Sequence, residues 1–209
     1  MLKILGRNSS SNVQKVLWCC DELGLPFMRE DWGSGYRATD SAEFLVLNPN
    51  AMVPVIDDDG FILWESNSIC RYLATKHGRD DLLPTTARAR AQVEQWMDWQ
   101  AGELNNAWRY AFMALVRQSP AHRDASAVAT SVALWNRHVE MLDRHLAAGG
   151  PFVAGERFTL ADVVLGLSVN RWLGTPLPHR PEVPAVSRWF ETTLADRPGF
   201  AAHCRNGTP

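Results

Sequence analysis

The stretch Asn48–His77, NPNAMVPVIDDDGFILWESNSICRYLATKH, leaves few architectures open to the chain. It enters on Asn-Pro, passes Val53-Pro54 into an apolar run, turns at Asp59-Gly60 and returns from Phe61 to Trp64. An Asp-Gly pair between two apolar runs is a strong hairpin signal, because glycine accepts the positive φ that such a turn needs. Ser66 can cap a helix that follows at once, with Ile69, Cys70, Leu73 and Ala74 on one face at helical spacing. The pattern is a β-hairpin feeding a helix. Glu65 and Ser66 then stand at a helix N-terminus, where backbone N–H groups and the helix dipole favour an anion.

The residues before this stretch supply more of the same layer. LKIL at 2–5 reads as a strand, and GRNSSSN breaks it. Val13, Val16, Leu17, Cys20 and Leu23 recur at helical spacing, until Gly24 and Pro26 stop the helix. Phe27 to Trp32 reads as a second strand, and Asp40 or Ser41 can cap a short helix through Leu47. The order β-α-β-α-β-β-α suits a sheet with helices against its faces. GRDDLLPTTA at 78–87 then has the Gly, Pro and acidic residues of a linker.

Beyond the linker no strand signal recurs. Val93, Trp96, Met97, Leu104, Trp108, Ala111, Phe112 and Leu115 lie along one long helix that Ser119-Pro120 breaks. Val128, Val132, Trp135, Val139, Leu142 and Leu146 mark a second, ended by Gly149-Gly150-Pro151. In FTLADV, Thr159 and Asp162 have the spacing of a capping box, with Phe158 and Val163 placed to staple it; this reads as structural. Val183, Val186, Trp189 and Phe190 form a last helical face before Pro198 and a polar tail. The fold class is therefore α/β followed by all-α, with 1–80 as one domain and 88–209 as a helical bundle.

The Val-Pro, hairpin and Glu-Ser sequence resembles the glutathione transferase family, and the two-part organisation extends that resemblance over almost the whole chain. It implies a thioredoxin-like first domain and a helical second domain carrying most of the electrophile pocket. It also implies binding of glutathione, as co-substrate, and attack by its thiolate on a small-molecule electrophile. A thiol with a pKa near ~8.5 is mostly protonated at neutral pH, so the site must stabilise the anion. The positive end of the first helix is one device for this, and a donated hydroxyl hydrogen bond is the other.

In the family that hydroxyl comes from the loop after the first strand. Here the loop offers only Ser9, Ser10 and Ser11, since Tyr36 and Cys19 come too late. All three serines can also simply cap a helix. Counted back from Gly24, the theta-like and zeta-like classes place the catalytic serine at Ser10, with Ser11 as second donor or helix cap and Asn12 a further polar contact. GRNSSSN departs from the familiar class loops, so the donor stays open among the three serines. The resemblance makes the Val53-Pro54 bond cis, with Val53 pairing its backbone with the cysteinyl part of glutathione. It gives Ser66 the γ-glutamyl carboxylate and Glu65 the ammonium, with Asn50 and Arg37 near the glycyl end. Trp108, Arg109 and Phe112 are the candidates for the electrophile pocket, although aromatic residues at helical spacing more often pack a core.

Other classes find no support. A formal net charge of −2 gives no footprint for nucleic acid or acidic lipid. MLKILGRNSS does not read as a signal peptide, and no apolar run reaches the length of a membrane span. The cysteines, Cys19, Cys20, Cys70 and Cys204, and the histidines show no metal-ligand spacing, so no metal is expected. The chain reads as cytoplasmic and, by resemblance, as a homodimer. Two alternatives stay open: a glutathione-dependent disulfide or peroxide reductase, and a non-catalytic interaction protein of the same fold.

Overall fold

A computed structural model of the chain describes residues 1–205, and 206–209, the end of the polar tail, lie outside the described residues. Strand β1 (Leu2–Leu5) occupies the middle of a four-stranded sheet ordered β2-β1-β3-β4, in which β2 is Phe27–Glu30, β3 Val55–Asp58 and β4 Phe61–Trp64. β1 runs parallel to β2, with Leu2 opposite Phe27, and antiparallel to β3, with Ile4 opposite Ile56. That parallel pair requires a crossover, and helix α1 (Ser11–Leu23) provides it. Helix α3 (Ser66–Lys76) packs beside α1, while α2 (Ala42–Leu45) closes a smaller cluster of Leu5, Trp32, Phe44 and Val55. The arrangement is the thioredoxin-like one.

The rest is helical: α4 (Ala87–Trp99), α5 (Asn105–Leu115), α6 (Ala125–Ala148), α7 (Leu160–Gly174) and α8 (Pro184–Arg188). α7 lies at the centre, buried on almost every side from Leu160 to Asn170, and touches both α1 and α4. One continuous core therefore joins the two parts, running from Ile4 and Val16 through Leu165 to Phe190.

Several local expectations need correction. The expected single helix over 93–115 is divided by a π-helical turn, Gln100–Leu104, and ends at Leu115, ahead of Ser119-Pro120. Asn67 donates to the Met97 carbonyl and Lys15 to the Gln100 side chain at this turn, tertiary bonds that helical periodicity cannot display. β2 stops at Glu30, after which Trp32 makes only an isolated bridge to Arg37. α2 stops at Leu45, its Ser41 cap accepting from the Phe44 N–H. The last helical face is split between α8 and a π-helical turn, Trp189–Thr193. α1 begins at Ser11, so Ser10 and not Ser11 is its cap residue. Likewise Ser66 is the first residue of α3, and the position before the helix belongs to Glu65. Asp162 accepts the Thr159 N–H at 2.9 Å, as the capping box requires, and also takes the Thr159 hydroxyl at 3.2 Å.

Candidate active site

The loop between β1 and α1 is held close to the sheet. A Cβ added at Gly6 would stand 2.5 Å from the Val13 side chain, so only glycine lets the chain turn there. The loop then delivers three serines into three different environments. Ser9 is exposed, and its hydroxyl accepts from Arg7 Nε at 3.1 Å. Ser11 accepts from Arg171 Nη2 at 2.6 Å, across a sequence separation of 160 residues. Ser10, in extended conformation at the mouth of α1, has a side chain that caps no backbone N–H. At this end of the helix the unpaired N–H groups carry partial positive charge.

Across the sheet edge, the Val53-Pro54 peptide is cis, as the resemblance implied. The loop leading to it is tied by Asn48, which is buried and donates to the Met52 carbonyl at 2.8 Å. Asn50, the residue singled out from sequence, is exposed and spends its side chain on Asn48. Beyond the hairpin, Glu65 adopts φ 71 and ψ 108 and stays exposed, while Ser66 is buried at the head of α3.

These segments face one another around a cleft of about 260 Å³, whose lining includes Asn12, Lys15, Val53, Pro54, Glu65, Ser66 and Asn67 from the first half. Ala101, Asn105 and Arg109 close it from the second half. A smaller hollow adjoins it, sharing Asn12, Lys15 and Asn105 and adding Ser11, Gln100, Trp108 and Arg171. Thus Ser11, Asn12, Val53, Pro54, Glu65, Ser66, Trp108 and Arg109 come together around adjoining spaces. Ser10, Phe112, Asn50 and Arg37 are not among the residues that line them. Arg37 pairs with Glu30 and Glu43 and stacks 3.9 Å over Trp32. Phe112 is 5% exposed and packs against Trp108, with Arg171 lying 4.5 Å over its ring.

Sequence reasoning missed the cations. Lys15 is 3% exposed, and its ammonium donates to Asn67 Oδ1 at 3.1 Å and Gln100 Oε1 at 2.8 Å. Burial brings its pKa down to about 8, against smaller upward pulls that include Glu65. A lysine in the first two turns of α1 opposes the helix dipole, which was the available signal. Arg171 stacks over Trp108 as well as Phe112, and burial, then Arg117, brings its pKa down to about 10. Its signal was the one cation of α7, in a helix whose other polar residues are only Asp162, Ser168 and Asn170.

The comparisons with known proteins agree with this geometry. Residues 9–76 match the family described as glutathione S-transferase, N-terminal domain, and residues 105–197 match glutathione S-transferase, C-terminal domain. The chain is 37% identical over 200 residues to glutathione S-transferase GstB of Escherichia coli, covering 95% of each. It is 34% identical over 210 residues to glutathione S-transferase 3 of Zea mays, covering 95% of this chain and 91% of the other. Among solved structures, the theta class glutathione S-transferase of Xanthomonas axonopodis pv. citri with glutathione bound superimposes with a TM-score of 0.89 at 33% identity, covering 97% and 96%.

Proposed function

The chain belongs to the glutathione S-transferase family and is a glutathione S-transferase, and on that premise we propose that the Ser10 hydroxyl donates a hydrogen bond to the glutathione thiolate. The observation that carries this choice is the contrast among the serines: Ser9 is engaged by Arg7 and Ser11 by Arg171, while the Ser10 side chain caps nothing at the mouth of α1. A hydroxyl in that position lowers the thiol pKa by stabilising the anion, not by removing the proton. The sulfur then attacks the electrophile.

Ser11 holds the neighbouring polar position as second donor, and Asn12 lines the cleft. Val53, following the family pattern, pairs with the cysteinyl unit beside Pro54. Ser66 and the N-terminus of α3 receive the γ-glutamyl carboxylate, with Glu65 on the ammonium. Asn50 lies outside the cleft lining and bonds to the buried Asn48; its part is to brace the loop before Val53. Trp108 and Phe112 border the electrophile side, with 1–80 as the glutathione domain and 88–209 supplying most of the acceptor pocket. The working form is a cytoplasmic homodimer. All four cysteines are buried, and burial pushes the Cys20 and Cys204 thiols up, which argues against disulfide exchange on the protein's own sulfur.

Ultraviolet titration of bound glutathione tests the assignment. The wild type should show a thiol pKa well below the free value of ~8.5, and Ser10→Ala should return it toward that value. Ser9→Ala should leave it in place. Restoration by Ser11→Ala alone would move the role to Ser11, and failure to bind glutathione would remove the site.

A further inference from the structure

The acceptor side of the site carries more positive charge than a thiolate and a neutral electrophile need. Arg171 and Arg117 both lie against the Phe112 ring, at 4.5 and 5.4 Å, and Arg171 also covers Trp108 at 4.4 Å. Among the described residues neither has a carboxylate within ion-pair distance. Arg171 uses one Nη on Ser11, and its Nε is sealed from solvent without a hydrogen-bond partner. Arg7 completes the group: Arg117 lies near enough to both Arg7 and Arg171 to lower their pKa values, after burial. Like charges placed together beside an apolar wall repel one another, and a bound anion relieves that repulsion.

We propose that the acceptor pocket selects electrophiles bearing an anionic group, a carboxylate in the first instance, which Arg171 and Arg117 hold beside the Trp108 and Phe112 rings. This rests on the reading above that those rings border the acceptor site. A guanidinium is suited to this, since its donors match the two oxygens of a carboxylate and its face stacks on aromatic rings. With a chlorinated nitrobenzoate the chemistry balances without a further reactant. The glutathione sulfur bonds to the ring carbon bearing chlorine, the C–Cl bond breaks, chloride leaves with the electron pair, and the carboxylate is unchanged.

The test uses 4-chloro-3,5-dinitrobenzoate and its methyl ester at saturating glutathione, each kcat/KM divided by the rate constant of that compound with free glutathione. The ratio of the two corrected values cancels any effect on the thiolate itself. The wild type should favour the carboxylate by about tenfold or more, as charge-assisted bonds allow. Arg171→Met and Arg117→Gln should each cut that preference by about tenfold, and added salt should weaken it. A wild-type ratio near one overturns the proposal. So does a ratio that neither variant moves while both compounds slow together, because Arg171 would then serve the thiolate through Ser11. Absence of glutathione binding in calorimetry, with neither compound conjugated, would overturn the underlying site reading instead.

Discussion

The Lys15 ammonium reaches from α1 to Gln100 Oε1, 2.8 Å away in the π-helical turn between α4 and α5, and so ties the two halves together at the floor of the cleft. Gln100 in turn donates to Asn105 Oδ1 at 3.0 Å, a residue that lines the cleft. The lysine is charged and buried with neutral hydrogen-bond partners, and its pKa of about 8 stands below the ordinary 10.5. Between these values the unfolded chain binds more protons than the folded one, so stability rises with pH across that window. The unfolding free energy of the wild type, taken relative to Lys15→Met, should gain about 2–3 kcal/mol from pH 8 to 10.5. Denaturant titrations at several pH values measure it. A difference that stays flat would mean that Lys15 keeps an ordinary pKa in the fold.

In the proposed site, where Glu65 takes the glutathione ammonium, the residue sets stability against function. Its φ of 71 with ψ of 108 lies in a region that L residues rarely occupy, at a cost of about 1–3 kcal/mol. Glycine adopts it freely, though with more freedom to lose on folding. Glu65→Gly should therefore melt at or above the wild-type temperature while weakening glutathione binding about tenfold, through loss of the ammonium partner. Calorimetry on the same sample reads both quantities. A variant that binds glutathione normally would show that Glu65 is a feature of the turn alone.

How much of this was legible beforehand depended on whether the cause was local. LKIL pairs as β1 over the residues expected, and Asp59-Gly60 makes the turn between β3 and β4. Turn chemistry and period-two patterning lie within a few residues of each other, so the sequence carries them openly. The π-helical turn was invisible because helical periodicity continues on both sides of it, and its bonds come from Lys15 and Asn67. The same holds for the serines. Three identical side chains in a row differ only in their partners, and the partner of Ser11 sits on α7.

Asp162 anchors the start of α7 from the inside. It is fully buried, and its carboxylate accepts the Val153 N–H at 2.9 Å, the Thr159 N–H at 2.9 Å and Trp189 Nε1 at 3.1 Å. Asp162→Ala would leave those donors without an acceptor in the core and should cost about 3–5 kcal/mol by chemical denaturation. Thr159→Ala should cost about 1 kcal/mol. Burial outweighs the donors and raises the Asp162 pKa to about 6 from 3.8. The folded state therefore holds more protons between these values, and stability relative to Asp162→Asn should grow, by about 2 kcal/mol, as pH falls from 6 to 4. A carboxylate held at an ordinary pKa would leave that difference flat.

Trp18 joins the chemistry to the helical half. It lies two turns below Ser11 on α1, is fully buried, and packs against the rings of Phe158 and Phe200, each at 5.9 Å. Its indole fits a notch made by two glycines: a Cβ at Gly199 would stand 2.3 Å from Trp18 Cδ1, and one at Gly166 3.0 Å from Cζ3. At Gly199 the added methyl also meets the Trp18 backbone at 3.0 Å, so a ring rotation alone cannot make room. Gly199→Ala should therefore destabilise by about 1–3 kcal/mol, the range for an overpacked core, and should do so in a single transition. Because α1 is one rigid element, its displacement at Trp18 also shifts the helix mouth at Ser10. The thiol pKa of bound glutathione should then rise in Gly199→Ala, although Gly199 is not among the residues lining the cleft. A variant that loses stability while its thiol pKa stays at the wild-type value would show that α7 and the strand β1 hold the helix mouth without help from the notch.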